Sequence, residues 1–215
     1  MSTIGFLHTA DVHVATFDRL VAERAPELTT VHEVRTDLLD AARRHGLADA
    51  SIGTGIAHSI DALERGGADV IICTCSTISG LAERASAPLR PAVLRIDRPM
   101  AAGAVREGRR IAVVAAVEST VEPTVSLLHE EAASAGVDVA IDSLPCFGAW
   151  PMFENGDLDG YHRFIAAHVD GIDESYDIVV LAQATMAPAA ALVAEPTRVR
   201  SSPVTAVEIA LEHVR

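Results

Sequence analysis

The sequence predicts an α/β protein with two pseudo-symmetric lobes, each a parallel sheet with helices on both faces, meeting around a shared cleft. Three observations support this prediction. Short apolar segments alternate with longer segments of helical periodicity. Hydrophobic residues make up 49% of the 215 residues but aromatic residues only 4%, so the core is aliphatic, as in parallel sheets covered by helices. The third observation is an internal repeat.

The first half of the chain shows strands as apolar runs that polar residues or glycines bound, and helices as apolar residues three and four positions apart. Asp37 suits the positive end of a helix, and Gly66 with Gly67 provides a helix stop. The predicted elements are a strand at 4–8, a helix through Phe17, Leu20 and Val21, a strand at 30–34, a helix from Thr36, a helix within 48–67, and strands at 70–73 and 92–97. Pro99 is expected to end the last of these strands before an Ala-rich helix.

The second half begins the same alternation again. The predicted elements are a strand at 110–117, a polar turn at 118–120, a helix through Val125, Leu128 and Ala132, a strand at 137–141 and a helix at 161–169. The segment 145–151 has no regular pattern, and we expect Trp150 and Phe153 to pack in the core.

A repeat of about 108 positions relates the two halves. Residues 68–78 align without a gap on residues 176–186, which pairs Asp69 with Asp177, Thr77 with Thr185 and Cys75 with Gln183. A shift of 107 aligns 4–7 with 111–114. Duplicated lobes would bring the carboxyl ends of their strands to one cleft. We predict a first lobe at 1–98 plus a C-terminal helix at about 204–215, and a second lobe at 99–203.

Charge and composition exclude several classes of function. Thirty acidic residues against 17 Lys and Arg give a formal net charge of −13, which argues against nucleic acid or an anionic membrane as a partner. Three cysteines make no disulfide framework, and the sequence shows neither a basic leader nor a membrane-spanning apolar segment. We therefore expect a cytoplasmic protein. Whether it forms a homo-oligomer stays open.

Cys75 is the most informative residue, because it stands where a buried apolar strand opens into a helix. Open α/β sheets bind ligands at this point. The N–H groups and dipole of the helix N-terminus would favour a thiolate and hold a carboxylate. Cys73, inside the strand, is expected to be structural. Neither metal-ligand spacing nor a nucleotide-binding glycine motif is present in the sequence, so we predict no metal and no cofactor.

These residues resemble the aspartate/glutamate/hydantoin racemase superfamily over nearly the whole chain. Cys75-Ser76-Thr77 matches its Cys-Asn-Thr type motif, with Ser76 in place of Asn. Ser119 and Thr120 resemble the threonine-bearing loop of the second lobe, which hydrogen-bonds the substrate carboxylate. His8 and Thr9 occupy the equivalent loop of the first lobe. The resemblance implies a small carboxylate substrate and cofactor-independent proton transfer by cysteine.

The second-lobe motif departs from the family pattern. Residues 182–186, Ala-Gln-Ala-Thr-Met, resemble Gly-Cys-Ala-Gly-Met, but Gln183 stands where the second cysteine belongs. Racemisation needs an acid–base group on each face of the substrate, and Gln cannot titrate. Cys146 is not at a matching position. The candidate residues are Cys75 and Gln183 for catalysis, and His8, Thr9, Ser76, Thr77, Ser119, Thr120, Ala184 and Thr185 for substrate binding.

Three functions remain open at this point. The first is an isomerase or decarboxylase that uses Cys75 alone at a carbon next to a carboxylate, with Gln183 stabilising enolate-like charge. The second is a racemase in which a histidine, His8 before others, or a water supplies the second base. The third is a binding protein that holds a small carboxylate without turnover. A Cys-His hydrolase lacks a positioned third group.

Overall fold

A computed structural model describes residues 2–86 and 91–214. The chain folds into two compact units. Unit 1 comprises Met1–Ile96 together with Pro203–Arg215, and unit 2 comprises Asp97–Ser202. Each unit contains a four-stranded parallel sheet flanked by helices. The predicted fold class, two parallel α/β lobes, is therefore confirmed.

The strands and helices alternate along the chain. Those before residue 97 are β1 Thr3–His8, α1 Val12–Arg24, β2 Thr29–Val34, α2 Thr36–His45, α3 Ala50–Arg65, β3 Val70–Cys73, α4 Ser76–Ser86 and β4 Ala92–Arg95. Unit 2 contains α5 Arg98–Glu107, β5 Arg110–Val114, α6 Glu118–Ala135, β6 Ala140–Ser143, α7 Trp150–Glu154, α8 Leu158–Asp170, β7 Ile178–Leu181 and β8 Val199–Arg200. Helix α9, Pro203–Val214, returns to unit 1. Short 3₁₀ helices lie at Phe147–Ala149, Ala184–Ala191 and Pro196–Arg198.

The sheet of unit 1 has the order β2-β1-β3-β4. Every residue of the central strand β1 is buried. Leu7 packs on the side of the sheet that carries the aliphatic residues of α2 and α3, such as Leu38 and Ile56. Phe6 points to the other side, where its ring lies 5.0 Å from that of Phe17 of α1. Helices thus cover both faces, as a parallel sheet requires.

The sheet of unit 2, with the order β6-β5-β7-β8, has a separate hydrophobic cluster on each face. Alternate residues of its strands enter different clusters, as the period of a strand dictates. Val114 and Leu181 pack with Tyr161 and other residues of α8. The opposite face packs against α5 and α6, and the residues from those helices are Met100, Ala101, Ala104, Val105, Leu127, Leu128 and Ala132.

The internal repeat corresponds to a repeated hydrogen-bond arrangement. In unit 1, Asp69 accepts a hydrogen bond from the N–H of Thr3 at 2.9 Å, just where β1 begins. In unit 2, Asp177 accepts from the N–H groups of Arg109 and Arg110 at 2.7 and 2.9 Å, where β5 begins. Each aspartate therefore ties the start of one central strand to the start of its neighbour, which explains why an acidic residue recurs at an otherwise apolar boundary.

Several predicted boundaries were wrong. Strand β4 ends at Arg95, and Pro99 lies in the first turn of α5, where a missing N–H costs nothing. Ser119 and Thr120 belong to the first turn of α6 rather than to a turn before it. Strand β6 starts at Ala140, three residues later than predicted, because Gly136 ends α6 in the left-handed region (φ 66°) and the N–H of Val137 still bonds Ala132.

The segment 145–151 is more regular than its sequence suggests. It contains the 3₁₀ helix at Phe147–Ala149 and the start of α7. Trp150 and Phe153 are only partly buried and stack on each other with ring centroids 4.7 Å apart, so they cover the edge of the core rather than fill it. Within the described ranges, none of the helices has the length and hydropathy of a transmembrane span.

Candidate functional site

Cys75 lies two residues after β3 and immediately before α4, which confirms its prediction at the opening of a strand into a helix. Its side chain is buried, and four donors surround the sulfur. They are the hydroxyls of Thr9 and Thr77 and the backbone N–H groups of Thr77 and Ile78. The N–H groups belong to the first turn of α4, and that of Ile78 also donates to the carbonyl oxygen of Cys75 at 3.1 Å. Cys73 is fully buried inside β3.

Two opposing effects act on the Cys75 thiol. Burial raises its pKa above the ordinary value, and the donors around the sulfur act in the opposite direction. Burial is the larger effect, so the sulfur is a neutral thiol at neutral pH. A thiolate formed at this position would nevertheless have all four donors already in place, at a site that excludes most water.

Buried polar atoms without a protein partner occur after the central strands of both units. Among the described residues they include Ser76 Oγ after β3, Ser119 Oγ after β5 and Gln183 Nε2 after β7. A buried hydroxyl or amide left unpaired costs about 1–3 kcal/mol, so proteins retain such groups mainly where a water or ligand satisfies them. All three are residues that the sequence proposed for the site.

In unit 2, Gln183 occupies the position that corresponds to Cys75. Its Oε1 accepts a hydrogen bond from the N–H of Ala116 at 2.8 Å. By the repeat, Ala116 corresponds to Thr9, the residue that hydrogen-bonds Cys75. The corresponding positions are therefore hydrogen-bonded in both units, through the Thr9 hydroxyl in unit 1 and through the backbone N–H of Ala116 in unit 2. A titratable thiol stands in unit 1 and a neutral amide in unit 2.

The remaining candidates of unit 2 lie near these groups in sequence. Thr120 is buried in the first turn of α6, and Ala184 is buried where the 3₁₀ helix after Gln183 begins. The Thr185 hydroxyl is 2.9 Å from the Tyr161 hydroxyl, and its carbonyl accepts from His162 Nε2 at 3.0 Å. Thr185 thus has firm protein partners on two of its polar groups.

His8 is completely buried at the end of β1, and protein groups engage both of its ring nitrogens. Nδ1 lies 2.8 Å from Thr74 Oγ1, and Nε2 lies 2.9 Å from His32 Nδ1. Burial, followed by the nearby His13 and His32, lowers the pKa of His8 to about 3. The ring is therefore neutral at physiological pH. Neither nitrogen is free to contact a substrate.

The sequence reasoning missed Thr74 and His32. The available signal was weak: one polar residue between two cysteines, and one histidine in a strand. Cys146, which that reasoning left unplaced, is buried beside Tyr161 in the α8 cluster, and its N–H bonds the carbonyl of Ala115 at 2.9 Å. Burial raises the pKa of its thiol to about 11. Across residues 2–86 and 91–214, no cluster of His, Cys, Asp and Glu has an arrangement suited to a metal ion.

Comparison with known proteins gives a consistent structural answer. No family model and no curated protein sequence matches the chain. Among solved structures, glutamate racemase from Thermus thermophilus in complex with β-chloro-D-alanine is similar with a TM-score of 0.72 and 20% identity, covering 98% of this chain and 80% of that one. An aspartate racemase homologue from Pyrococcus horikoshii gives 0.71 and 13%, with all of both chains covered.

Glutamate racemase from Francisella tularensis in complex with D-glutamate gives a TM-score of 0.71 and 15% identity, covering 98% of this chain and 80% of that one. Identities this low establish the fold and leave the activity to be argued from the site. The chain has the two-unit α/β fold of the glutamate and aspartate racemases, and its resemblance to the aspartate/glutamate racemase superfamily is confirmed at the level of that fold.

Proposed function

We propose that the protein is a cofactor-independent enzyme that acts at a carbon next to a carboxylate, as a racemase-like isomerase or a decarboxylase, with Cys75 as its acid–base group. The observation that carries this proposal is the environment of the Cys75 sulfur, a buried thiol with four donors around it. Two structural neighbours are complexes with D-glutamate and with β-chloro-D-alanine, which supports a small amino-acid-like carboxylate as the substrate class.

The chemistry follows from the residues around Cys75. As a thiolate, its sulfur removes the proton from the carbon next to the carboxylate and becomes a thiol. As a thiol, it donates its proton to that carbon after loss of carbon dioxide and becomes a thiolate. The unpaired hydroxyl of Ser76, at the start of α4, is a donor suited to a substrate carboxylate. We assign substrate binding to Thr9, Ser76 and Thr77, with His8 supporting the site through Thr74.

Unit 2 offers a second set of hydrogen-bonding groups after its own strands. We assign substrate binding there to Ser119, Thr120, Ala184 and Thr185. Gln183, with an unpaired Nε2, is suited to donate a hydrogen bond to developing negative charge but cannot carry a proton. The proposal therefore expects proton transfer through one thiol.

The direct test is α-proton exchange in D2O, followed by NMR over amino acids, hydantoins and aryl- or alkyl-malonates. We expect Cys75→Ala to lower exchange or decarboxylation about 100-fold or more, the usual scale for loss of an acid–base group. Cys146→Ala is the matched control, since it also truncates a buried cysteine, and it should retain near wild-type turnover. Equal turnover in wild type and Cys75→Ala would refute the proposal.

A second variant tests the one-thiol assignment. Gln183→Cys would supply the missing titratable group, and we expect it to create or raise exchange on both faces of the carbon. Gln183→Ser, which removes the same amide without adding a thiol, is the control and should show no gain. A gain in both variants would mean that removal of the amide, rather than a second acid–base group, was responsible.

A non-catalytic carboxylate-binding protein is the alternative function, and two observations favour it. Gln183 cannot titrate, and burial raises the pKa of the Cys75 thiol. For such a protein, Cys75→Ser would leave ligand affinity nearly unchanged by calorimetry, and no substrate of the panel would react. A racemase with His8 as second base gains no support, because both ring nitrogens of His8 already have protein partners.

A further inference from the structure

A chain of side-chain hydrogen bonds runs from the surface of unit 1 to the residue next to Cys75. Oδ1 of Asp18, an exposed residue of α1, lies 2.9 Å from His32 Nε2. His32 Nδ1 lies 2.9 Å from His8 Nε2, and His8 Nδ1 lies 2.8 Å from Thr74 Oγ1. The chain thus crosses three adjacent strands, β2, β1 and β3, at their carboxyl ends.

The donor inventory permits two complete proton arrangements of this chain. Asp18 is a carboxylate, so His32 Nε2 must donate to it in both. When His32 is neutral, its Nδ1 accepts from His8 Nε2–H, and His8 Nδ1 accepts from the Thr74 hydroxyl. When His32 carries an additional proton on Nδ1, it donates to His8 Nε2 instead. His8 then carries its single proton on Nδ1 and donates to Thr74.

The Thr74 hydroxyl has a second acceptor, which makes the protonated arrangement complete. Its Oγ1 lies 3.2 Å from the carbonyl oxygen of Leu7, to which the N–H of Thr74 also donates at 2.9 Å. In the protonated arrangement both groups of Thr74 therefore donate to Leu7. The net change is one proton taken from solvent and held on His32, while His8 keeps one proton and changes tautomer.

We propose that His8 and His32 are positioning residues for Cys75. Protonation of His32 sets the tautomer of His8, and the tautomer of His8 decides which atom accepts the hydrogen bond of the Thr74 hydroxyl. The inference rests on the proposed function of Cys75. The link is short, because Thr74 precedes Cys75 while Leu7, His8 and Thr9 are consecutive. The carbonyl of Leu7 and the ring of His8 hydrogen-bond Thr74, and the hydroxyl of Thr9 hydrogen-bonds Cys75.

The surroundings favour a single proton on His8 in both arrangements. The titratable groups that face it are His13 and Asp18 from α1 and His32 from β2. Helix α9, which also packs against α1, directs Glu208 to Arg24 at 3.8 Å. Helix α3 covers the opposite face of the sheet with apolar residues such as Ile60 and Leu63. Aromatic rings enclose the imidazole, with Phe6 and Phe17 each 5.7 Å from it between centroids.

The decisive measurement is the tautomer of His8, read from ring nitrogen shifts in long-range ¹H–¹⁵N NMR spectra as His32 is titrated. His8→Gln and His32→Gln assign the signals, and His58→Gln, at an exposed position of α3, is the matched control. We expect the His8 proton to move from Nε2 to Nδ1 as His32 gains its proton, with no change of His8 charge. A His8 tautomer that stays constant through the His32 titration would overturn the inference.

The effect on Cys75 is tested with a matched pair at position 74. Thr74→Val removes the hydroxyl at almost constant shape, whereas Thr74→Ser retains it. We expect Thr74→Val to lower kcat for the Cys75-dependent reaction about threefold to tenfold with little change in KM, the scale of one hydrogen bond, and Thr74→Ser to restore it. Equal kcat in both variants and wild type would overturn the positioning role. Failure of the proposed function would show as equal turnover in wild type and Cys75→Ala. The NMR measurement of the His8 tautomer does not depend on turnover, so the two failures can be told apart.

Discussion

Lowering the pH from 8 to 5 should destabilise unit 1 because it contains two buried neutral histidines. Burial lowers the pKa of His13 to about 4, and burial, followed by the nearby His13 and His32, lowers that of His8 to about 3. In the unfolded chain both rings titrate near the ordinary value of 6.5. Below pH 6.5 the unfolded state therefore binds protons that the native state does not, and the free energy of unfolding decreases as the pH is lowered.

The size of the effect follows from the same values. At pH 5 the unfolded histidines are about 1.5 pH units below their pKa, and both native histidines are still mainly neutral. At about 1.36 kcal/mol per unit, each histidine removes about 2 kcal/mol of unfolding free energy between pH 8 and pH 5. The two together remove about 4 kcal/mol, a large share of the stability of an ordinary domain.

Urea unfolding at the two pH values, followed by far-UV circular dichroism, measures this loss. Trp150 is the one tryptophan of the chain and lies in unit 2, so its fluorescence reports that unit separately. His13→Phe replaces the buried ring with one that cannot titrate, and we expect it to reduce the pH-dependent loss by about 2 kcal/mol. His58→Gln should leave the loss unchanged. The same pH dependence in His13→Phe and wild type would refute the reasoning.

Two further predictions concern packing. A Cβ added at Gly5 would lie 2.8 Å from the Cβ of Ala68, so Gly5→Ala should destabilise the protein by about 1–3 kcal/mol. Gly53→Ala, at an open position of α3, should be neutral or stabilising by up to about 1 kcal/mol. Thermal unfolding of the two variants checks this, and equal midpoints would contradict it. Tyr161→Phe removes the hydroxyl that meets Thr185 and should cost about 1 kcal/mol of unfolding free energy in urea; a stabilised variant would show that this hydrogen bond is not worth its desolvation.

The sequence predicted the features that depend only on neighbouring residues, such as the ends of strands and the starts of helices. The apolar run before Cys75 and the polar residues after it define a strand end and a helix start, so that position could be read directly. The contact between His8 and His32 could not, because it depends on β2 lying beside β1 in register, with Phe6 opposite His32. That register is set by packing across the sheet and has no signal within either strand.

The boundary errors have a similar physical origin. Val137 and Val139 are apolar and β-branched, and they pack against the α5–α6 side of the sheet as a strand would. The backbone there is still occupied by the end of α6, where Gly136 completes the helix, so the ladder with β5 begins only at Ala140. A run of apolar residues indicates which residues are buried, but it does not indicate where the hydrogen bonds between neighbouring strands begin.

The return of α9 to unit 1 has a consequence for biosynthesis. Unit 2 is continuous, so all of its strands and helices are available as soon as residue 202 has been made. Unit 1 is interrupted, and its β1, β3 and α1 wait for α9 to cover them until unit 2 has been translated. Since domains fold as they leave the ribosome, the nascent chain holds an incompletely covered first sheet while the second unit is produced. The second unit therefore has its complete set of strands and helices before the first unit does.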